Sequence, residues 1–287
     1  MKKSTLIHLR IPFSFFLLPV FLFGVAIAQS TDWMRISLVF FILHFLLYPA
    51  SNGYNSYFDK DEKSIGGVER PPKVSKNLYL WSLIFDGCAI TLGLLISWPF
   101  STMLLVYGLV SKAYSHPLIR FKKRPIIGWL VVGVFQGYFT FLMTGIGISD
   151  LSLQSLFSWY WQAPAILSTL MLLGSYPMTQ IYQHEEDIKR GDRTISSILG
   201  VIGTFYFTGI FFTLSSICYF IYFMETFSLQ DGLLFIALLA PVVFYFFRWM
   251  YFVKKDSSNA DYRHTMRLNF ISALMLNLFF LIFAVNL

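Results

Sequence analysis

Charge is what this chain has least of. Asp, Glu, Lys and Arg make up 13% of its 287 residues, against about 25% in an ordinary soluble domain. That is too little to cover a water-facing surface. Cysteine is scarce too: Cys88 and Cys218 staple nothing, which excludes a disulfide scaffold. Both lie in apolar runs and read as small packing residues. No Walker loop, dinucleotide fingerprint, Ser-His-Asp pattern or Cys-His cluster is present, and His184 has no partner at zinc spacing. What is abundant is apolar: 56% of residues are hydrophobic, with 32 Phe, 16 Tyr and 7 Trp. Disordered and collagen-like classes are thereby excluded, and the segments lack the polar–apolar alternation of a membrane barrel. An all-α, polytopic membrane protein remains.

A helix crosses the hydrocarbon in roughly 20 apolar residues. About nine runs meet that need, near 11–28, 35–52, 78–97, 100–115, 126–148, 161–182, 195–223, 231–252 and 267–286. The first follows Lys2, Lys3 and Arg10, and Ala26-Ile27-Ala28 at its end resembles a signal-peptide cleavage site. Its apolar stretch exceeds the ~7–15 residues of a signal core, so it reads as a retained span. Its removal would leave the orientation of the others unchanged.

The loops segregate by charge. Lys60, Lys63, Arg70, Lys73 and Lys76 share one face with Arg120, Lys122, Lys123, Arg124, Lys189, Arg190, Arg193, Lys254, Lys255 and Arg263. The opposite loops hold Asp32, Asp150, Glu225 and Asp231, with Arg35 as their one base. Positive charge marks the cytoplasm. The N-terminus and the basic loops are therefore expected inside, at the inner membrane if the cell is bacterial. The net charge of +7 fits a membrane surface better than a nucleic acid, because the bases sit in short patches between apolar runs.

Two of the basic loops follow similar sequences. Tyr48-Pro49, Ser51, Asn52, Tyr54, Asn55 and Asp59 match Tyr176-Pro177, Thr179, Gln180, Tyr182, Gln183 and Asp187 at a constant offset of 128 residues. A duplicated four-helix unit explains this, with halves of roughly 11–125 and 126–252 and a final helix 267–286, all in one domain spanning 1–287. Each copy sets an amide four residues before an Asp, hence on one helix face. Asn55 then stands with Asp59, and Gln183 with Asp187. Glu62 at i+3 from Asp59 and Glu186 at i+3 from Gln183 join those faces, whereas Asp61 points elsewhere if the helix continues.

Carboxylates and amide oxygens mixed with bases suit a Mg²⁺–diphosphate complex, the acids holding the metal and the bases the remaining phosphate charge. Asp86, inside the third apolar run, reads equally as a partner of this site or as a hydrogen-bonded structural acid.

In these motifs the chain resembles the UbiA superfamily of intramembrane prenyltransferases. The first reads N55-SYF-D59-KDE-K63 with Arg70-Pro71 downstream, the second Q183-HEE-D187-IKRGDRT, and Y114-SHPLIRFKKRP resembles the family's Tyr-and-basic loop. Lys63 and Gln183 stand where that pattern has acids. The resemblance implies that Asn55, Asp59 and Asp187 bind Mg²⁺–diphosphate, with Asp61, Glu62 and Glu186 as further ligands. It also implies that Arg70, Lys122, Arg193 and Gln183 hold the diphosphate and that Tyr114 hydrogen-bonds the leaving group. The expected substrates are a prenyl diphosphate and a lipophilic acceptor. A non-catalytic membrane scaffold or lipid-binding relative is the alternative that Lys63 and Gln183 favour. A transporter fits less well, because these charges lie at one face rather than the bilayer midplane.

Overall fold

The computed structural model describes residues 1–60, 62–149 and 151–286. Among them the regular elements are helices, apart from one isolated β-bridge between Ile65 and Val68. In hydrocarbon every backbone N–H and C=O needs a partner inside the protein, and a helix supplies it within one segment. The helices are α1 (Lys3–Ala28), α2 (Trp33–Asp59), α3 (Leu78–Leu94), α4 (Trp98–Ser115), α5 (Pro125–Ile148), α6 (Trp159–Ser175), α7 (His184–Arg190), α8 (Ile195–Thr226), α9 (Leu229–Lys255) and α10 (Tyr262–Asn286). Six of these, α1, α2, α5, α8, α9 and α10, are long and apolar enough to cross a membrane.

Polar residues just before the apolar runs start several of them. Asp32 accepts from the Arg35 N–H at 3.0 Å, Ser97 from Phe100 at 3.3 Å and Ser228 from Asp231 at 3.2 Å. At α8, Thr194 and Ser197 form a reciprocal capping box at 3.1 and 2.9 Å.

The two similar segments fold differently. A π-helical turn over Ile42–Leu47 leads into Tyr48-Pro49, and α2 then runs on to Asp59. Lys60 takes a left-handed conformation (φ +50°) and gives its N–H to Ser56 O at 3.0 Å, which ends the helix. The sixth apolar run, which leads into the second similar segment, instead stops as α-helix at Ser175. A 3₁₀ turn, Tyr176–Gln180, and a further turn separate it from α7. Pro177 lies near the start of that 3₁₀ turn, where its missing N–H withdraws a helical donor.

The bundle closes because α10 packs between α9 and α1, while α1 also packs on α5 and α8 on both α6 and α9. At the α5–α6 contact a second π-helical turn, Val134–Phe139, leaves the Tyr138 N–H to bond Thr169 Oγ1 at 2.9 Å. Gly137 sits so close to α6 that a Cβ would come within 2.6 Å of the Thr169 backbone N and Cα. Large side chains such as Phe244 (70% exposed), Phe247 (60%) and Ile210 (60%) cover the outside, as a lipid-facing surface requires. Cys88 and Cys218 are also exposed there, not packed in the core as their apolar surroundings suggested.

The basic loops gather at one end. Ser4 Oγ donates to Lys73 O at 2.6 Å, the His8 ring is 2.8 Å from Pro72 O, and Arg263 meets Glu69 at 2.9 Å. At the other end Arg35 donates to Gly147 O at 2.7 Å and Ser149 O at 3.1 Å. The exceptional base of that face thus closes the C-terminus of α5. Asp86 forms an ion pair with Lys112 that ties α3 to α4, and it lines neither cavity described below.

Candidate functional site: a polar pocket on an apolar cavity

At the end where the basic loops meet, a pocket of about 210 Å³ opens between α2, α4, α7 and the loops around them. The last turns of α2 bring Asn52, Asn55 and Asp59 to it, and Tyr114 comes from the end of α4. Gln180, Gln183, Asp187, Arg190 and Asp192 come from the second similar segment, Lys122 from the 116–124 loop and Arg10 from α1. Four pairs related by the 128-residue offset therefore line one pocket: Ser51 with Thr179, Asn52 with Gln180, Asn55 with Gln183, and Asp59 with Asp187.

The charges form one buried network. Asp59, its side chain 4% exposed, bonds the Lys122 ammonium and lies 3.6 Å from Arg120. Arg120 holds Asp192 through two parallel hydrogen bonds of 2.8 and 2.9 Å. Arg190 reaches Asp187 at 2.6 Å and Asp192 at 3.4 Å, and Lys122 lies 3.6 Å from Asp192. Burial pushes the Asp187 carboxyl up to about 7; Lys122 opposes this, while Asp192, Asp59 and Glu186 add to it. Burial works against ionised Asp192 as well, yet the Arg120 hydrogen bonds and the Lys122 and Arg190 charges hold it below its ordinary range.

Neutral groups surround this network. Ser115 donates to Asn55 Oδ1 at 2.7 Å, and the Tyr114 and Tyr176 hydroxyls bond each other. Gln180 Nε2 donates to the Tyr176 hydroxyl at 3.1 Å, while its Oε1 is buried with no partner. An unmatched buried oxygen is costly in a resting fold, and this one belongs to a pocket-lining residue.

The polar pocket is continuous with an apolar cavity of about 270 Å³. The two share Phe13, Ser51, Asn52, Tyr107, Gln136, Tyr176 and Thr179. Deeper in, Phe16, Phe23, Met171, Tyr219, Phe246 and Phe280 line the cavity. No Asp, Glu, His, Lys or Arg among the described residues does so. A molecule with an anionic head and a hydrocarbon tail fits such a pair of compartments.

Of the residues singled out from sequence, the structure brings Asn55, Asp59, Tyr114, Lys122, Gln183 and Asp187 to the pocket. It leaves others outside. Glu62 does not share a face with Asp59, because the helix ends before it, and it is exposed. Arg70 and Arg193 are likewise exposed and do not line the pocket. Glu186 faces the loop after α2, its Oε1 accepting the Lys63 N–H at 2.9 Å. Asp61 lies outside the described residues.

Arg190, one of the loop bases expected to take phosphate charge, lines the pocket, and Arg10, Asn52, Arg120, Gln180 and Asp192 belong to the site but were not singled out. The offset of 128 already contained a signal for Asn52 and Gln180. No local pattern marks Arg10, which reaches the pocket at a break in α1 (φ +48°) and donates to Gly66 O at 3.3 Å and Asn52 O at 3.2 Å. Among the described residues no group of three or more His, Cys, Asp and Glu forms a metal cage. Mg²⁺ needs none, since one or two carboxylates, waters and substrate phosphates complete its shell. Asp59, Asp187 and the unmatched Gln180 Oε1 are a donor set of that kind.

The fold and pocket define a helical integral membrane protein with a charged loop cluster set over an apolar cavity. The chain belongs to the UbiA prenyltransferase family, whose model matches residues 17–271. A UbiA homologue from Archaeoglobus fulgidus bound to DMAPP and Mg²⁺ is similar over 99% of this chain and 100% of its own, with 17% identity and a TM-score of 0.69. The same coverage and identity, with a TM-score of 0.68, hold for a UbiA homologue from Archaeoglobus fulgidus bound to GPP and Mg²⁺. A digeranylgeranylglyceryl phosphate synthase is similar over 99% of both chains, with 19% identity and a TM-score of 0.62. No curated protein matches the chain.

Proposed function

We propose that this protein is an integral-membrane prenyltransferase, transferring a prenyl group from a prenyl diphosphate to a lipophilic acceptor with Mg²⁺-assisted departure of diphosphate. One observation carries the reading: a pocket lined by Asp59, Asp187, Lys122, Arg190 and Arg10 opens directly into a cavity that no Asp, Glu, His, Lys or Arg among the described residues lines. Family membership and the relatives bound to DMAPP or GPP with Mg²⁺ support it. When bound, Mg²⁺ would supply Lewis-acid neutralisation of the leaving diphosphate.

This chain's own residues do the rest. Asp59 and Asp187 would hold the metal, with Asn55, Gln183 and Gln180 as amide neighbours. Lys122 and Arg190, exchanging from Asp59 and Asp187, take phosphate oxygens with Arg10 and stabilise the charge that builds on them. The Tyr114 hydroxyl, oriented by Tyr176, hydrogen-bonds the leaving group. The C–O bond breaks with its electron pair going to diphosphate. The acceptor's electron pair then forms the new bond to the prenyl carbon, and the acceptor's proton passes to the departed diphosphate. The apolar cavity holds the tail and keeps water from the cation.

The finer architecture belongs to the same reading: one domain of nine spans, α1 to α6 and α8 to α10, built from a duplicated four-helix unit, with the N-terminus and both Asp-bearing loops in the cytoplasm. The offset pairs that share the pocket support the duplication. The alternative of a non-catalytic lipid-binding relative is favoured by the ion pairs that Asp59 and Asp187 already make with Lys122 and Arg190. Release of diphosphate from a panel of prenyl diphosphates, in membranes with and without Mg²⁺, decides between them. Mg²⁺-dependent release is expected, and none across the panel would support the alternative.

A further inference from the structure

Lys63 and Gln183, the two positions where acids are replaced, take part in the same contact. Lys63 Nζ bonds Glu185 at 2.5 Å, the Lys63 N–H donates to Glu186 Oε1 at 2.9 Å, and Gln183 Nε2 donates to Ser64 O at 3.3 Å. Three bonds thus join the loop after α2 to the start of α7, protein to protein, at the edge of the pocket that Ile65, Gly66 and Gln183 line. Acids at both positions would set negative charge against Glu185, Glu186 and the Ser64 carbonyl. A bound cation would then be needed to hold the same two loops together.

The pocket lining points the same way. Among the described residues its carboxylates are Asp59, Asp187 and Asp192, balanced by Arg10, Lys122 and Arg190. Asp192 has both oxygens engaged by Arg120. Glu185 and one oxygen of Glu186 are engaged by Lys63. The other Glu186 oxygen is buried without a partner but lies outside the pocket lining. That leaves Asp59, held by Lys122 with Arg120 3.6 Å away, and Asp187, held by Arg190. Beside them is Gln180 Oε1, on a side chain 8% exposed and without a partner. Two carboxylates and a neutral oxygen suit one Mg²⁺ that completes its shell with water and phosphate.

Resting on the prenyltransferase reading, we propose that the site takes one divalent cation per chain, between Asp59 and Asp187. Lys63 and Gln183 clasp the two loops directly, in place of a further cation. Mn²⁺ is the probe: the full chain in nanodiscs with inorganic diphosphate is titrated while free Mn²⁺ is followed by EPR. One bound ion per chain is expected, with no spin-coupled pair signal. Two per chain would overturn this inference and leave the prenyltransferase reading standing, whereas none would overturn that reading as well. The clasp has its own readout, trypsin cleavage in the 60–76 loop with EDTA present. Gln183→Ala combined with Glu185→Ala keeps every cleavage site and should be cut about fivefold faster than wild type. Equal rates without metal would mean the clasp does not hold the loop.

Discussion

Arg120 grips Asp192 through two parallel hydrogen bonds of 2.8 and 2.9 Å, in a pair whose side chains are 10% and 1% exposed. Asp192 also faces Arg190 and Lys122, so one carboxylate sets the positions of three cations around the pocket. Asp192→Asn would leave buried Arg120 with only the more distant Asp59, at 3.6 Å, as counter-charge. Breaking such a pair from one side costs about 3–5 kcal/mol. The expected outcome is a marked fall in the unfolding midpoint in detergent, with partial recovery in Asp192→Glu. An unchanged midpoint would mean the pair is no more than a surface contact.

Asp59 and Asp187 should act as a unit. Asp59→Asn and Asp187→Asn are each expected to lower diphosphate release by about 10²–10³. The double variant should be no worse than either single one, as for groups that serve one step. Each protein should still insert and elute as a folded species. Near-normal turnover in either single variant would sink the shared site.

Gln180 separates stability from function. Gln180→Met removes a buried oxygen that has no partner, together with one hydrogen bond to Tyr176. An unsatisfied buried group costs about 1–3 kcal/mol, so the unfolding midpoint should hold or rise while Mn²⁺ binding weakens. A lowered midpoint with unchanged metal binding would make Gln180 purely structural.

Gly137 tests the bundle itself. A methyl group there would meet α6 backbone at 2.6 Å, and backbone cannot swing aside as a side-chain tip can. Gly137→Ala is expected to destabilise by about 1–3 kcal/mol or more. Thermal unfolding in detergent reads the change, and Gly87→Ala, with nothing within 4 Å of the added carbon, is the control.

Orientation has a direct measurement. With Cys88 and Cys218 replaced by Ala, a cysteine at exposed Glu62 should resist an impermeant thiol reagent in intact cells and react after lysis. Labelling before lysis would invert the proposed topology.

The helical membrane class was legible in the sequence because the bilayer imposes it on each segment separately. An apolar run must become a helix wherever its neighbours lie, and loop charge is counted without any fold. The i, i+4 amide–Asp pairs were equally local: Asn55 and Asp59 share the last turns of α2, and the Gln183 carbonyl accepts the Asp187 N–H at 2.9 Å. What tertiary structure decided was everything set by a reversal or by a distant partner. Lys60 turns the chain away after Asp59, which removes Glu62 from the face its spacing promised. Arg10 enters the pocket 49 residues before Asp59 because α1 breaks at that residue. Asp192 becomes part of the site only because Arg120, 72 residues earlier, folds back onto it. Hydropathy and helical spacing are properties of neighbours in the chain. Arg190 with Asp187 is a local i, i+3 pair, but the pairs of Asp59 with Lys122 and Arg120 with Asp192 depend on which loops the closed bundle brings together, and no short stretch of sequence holds both their partners.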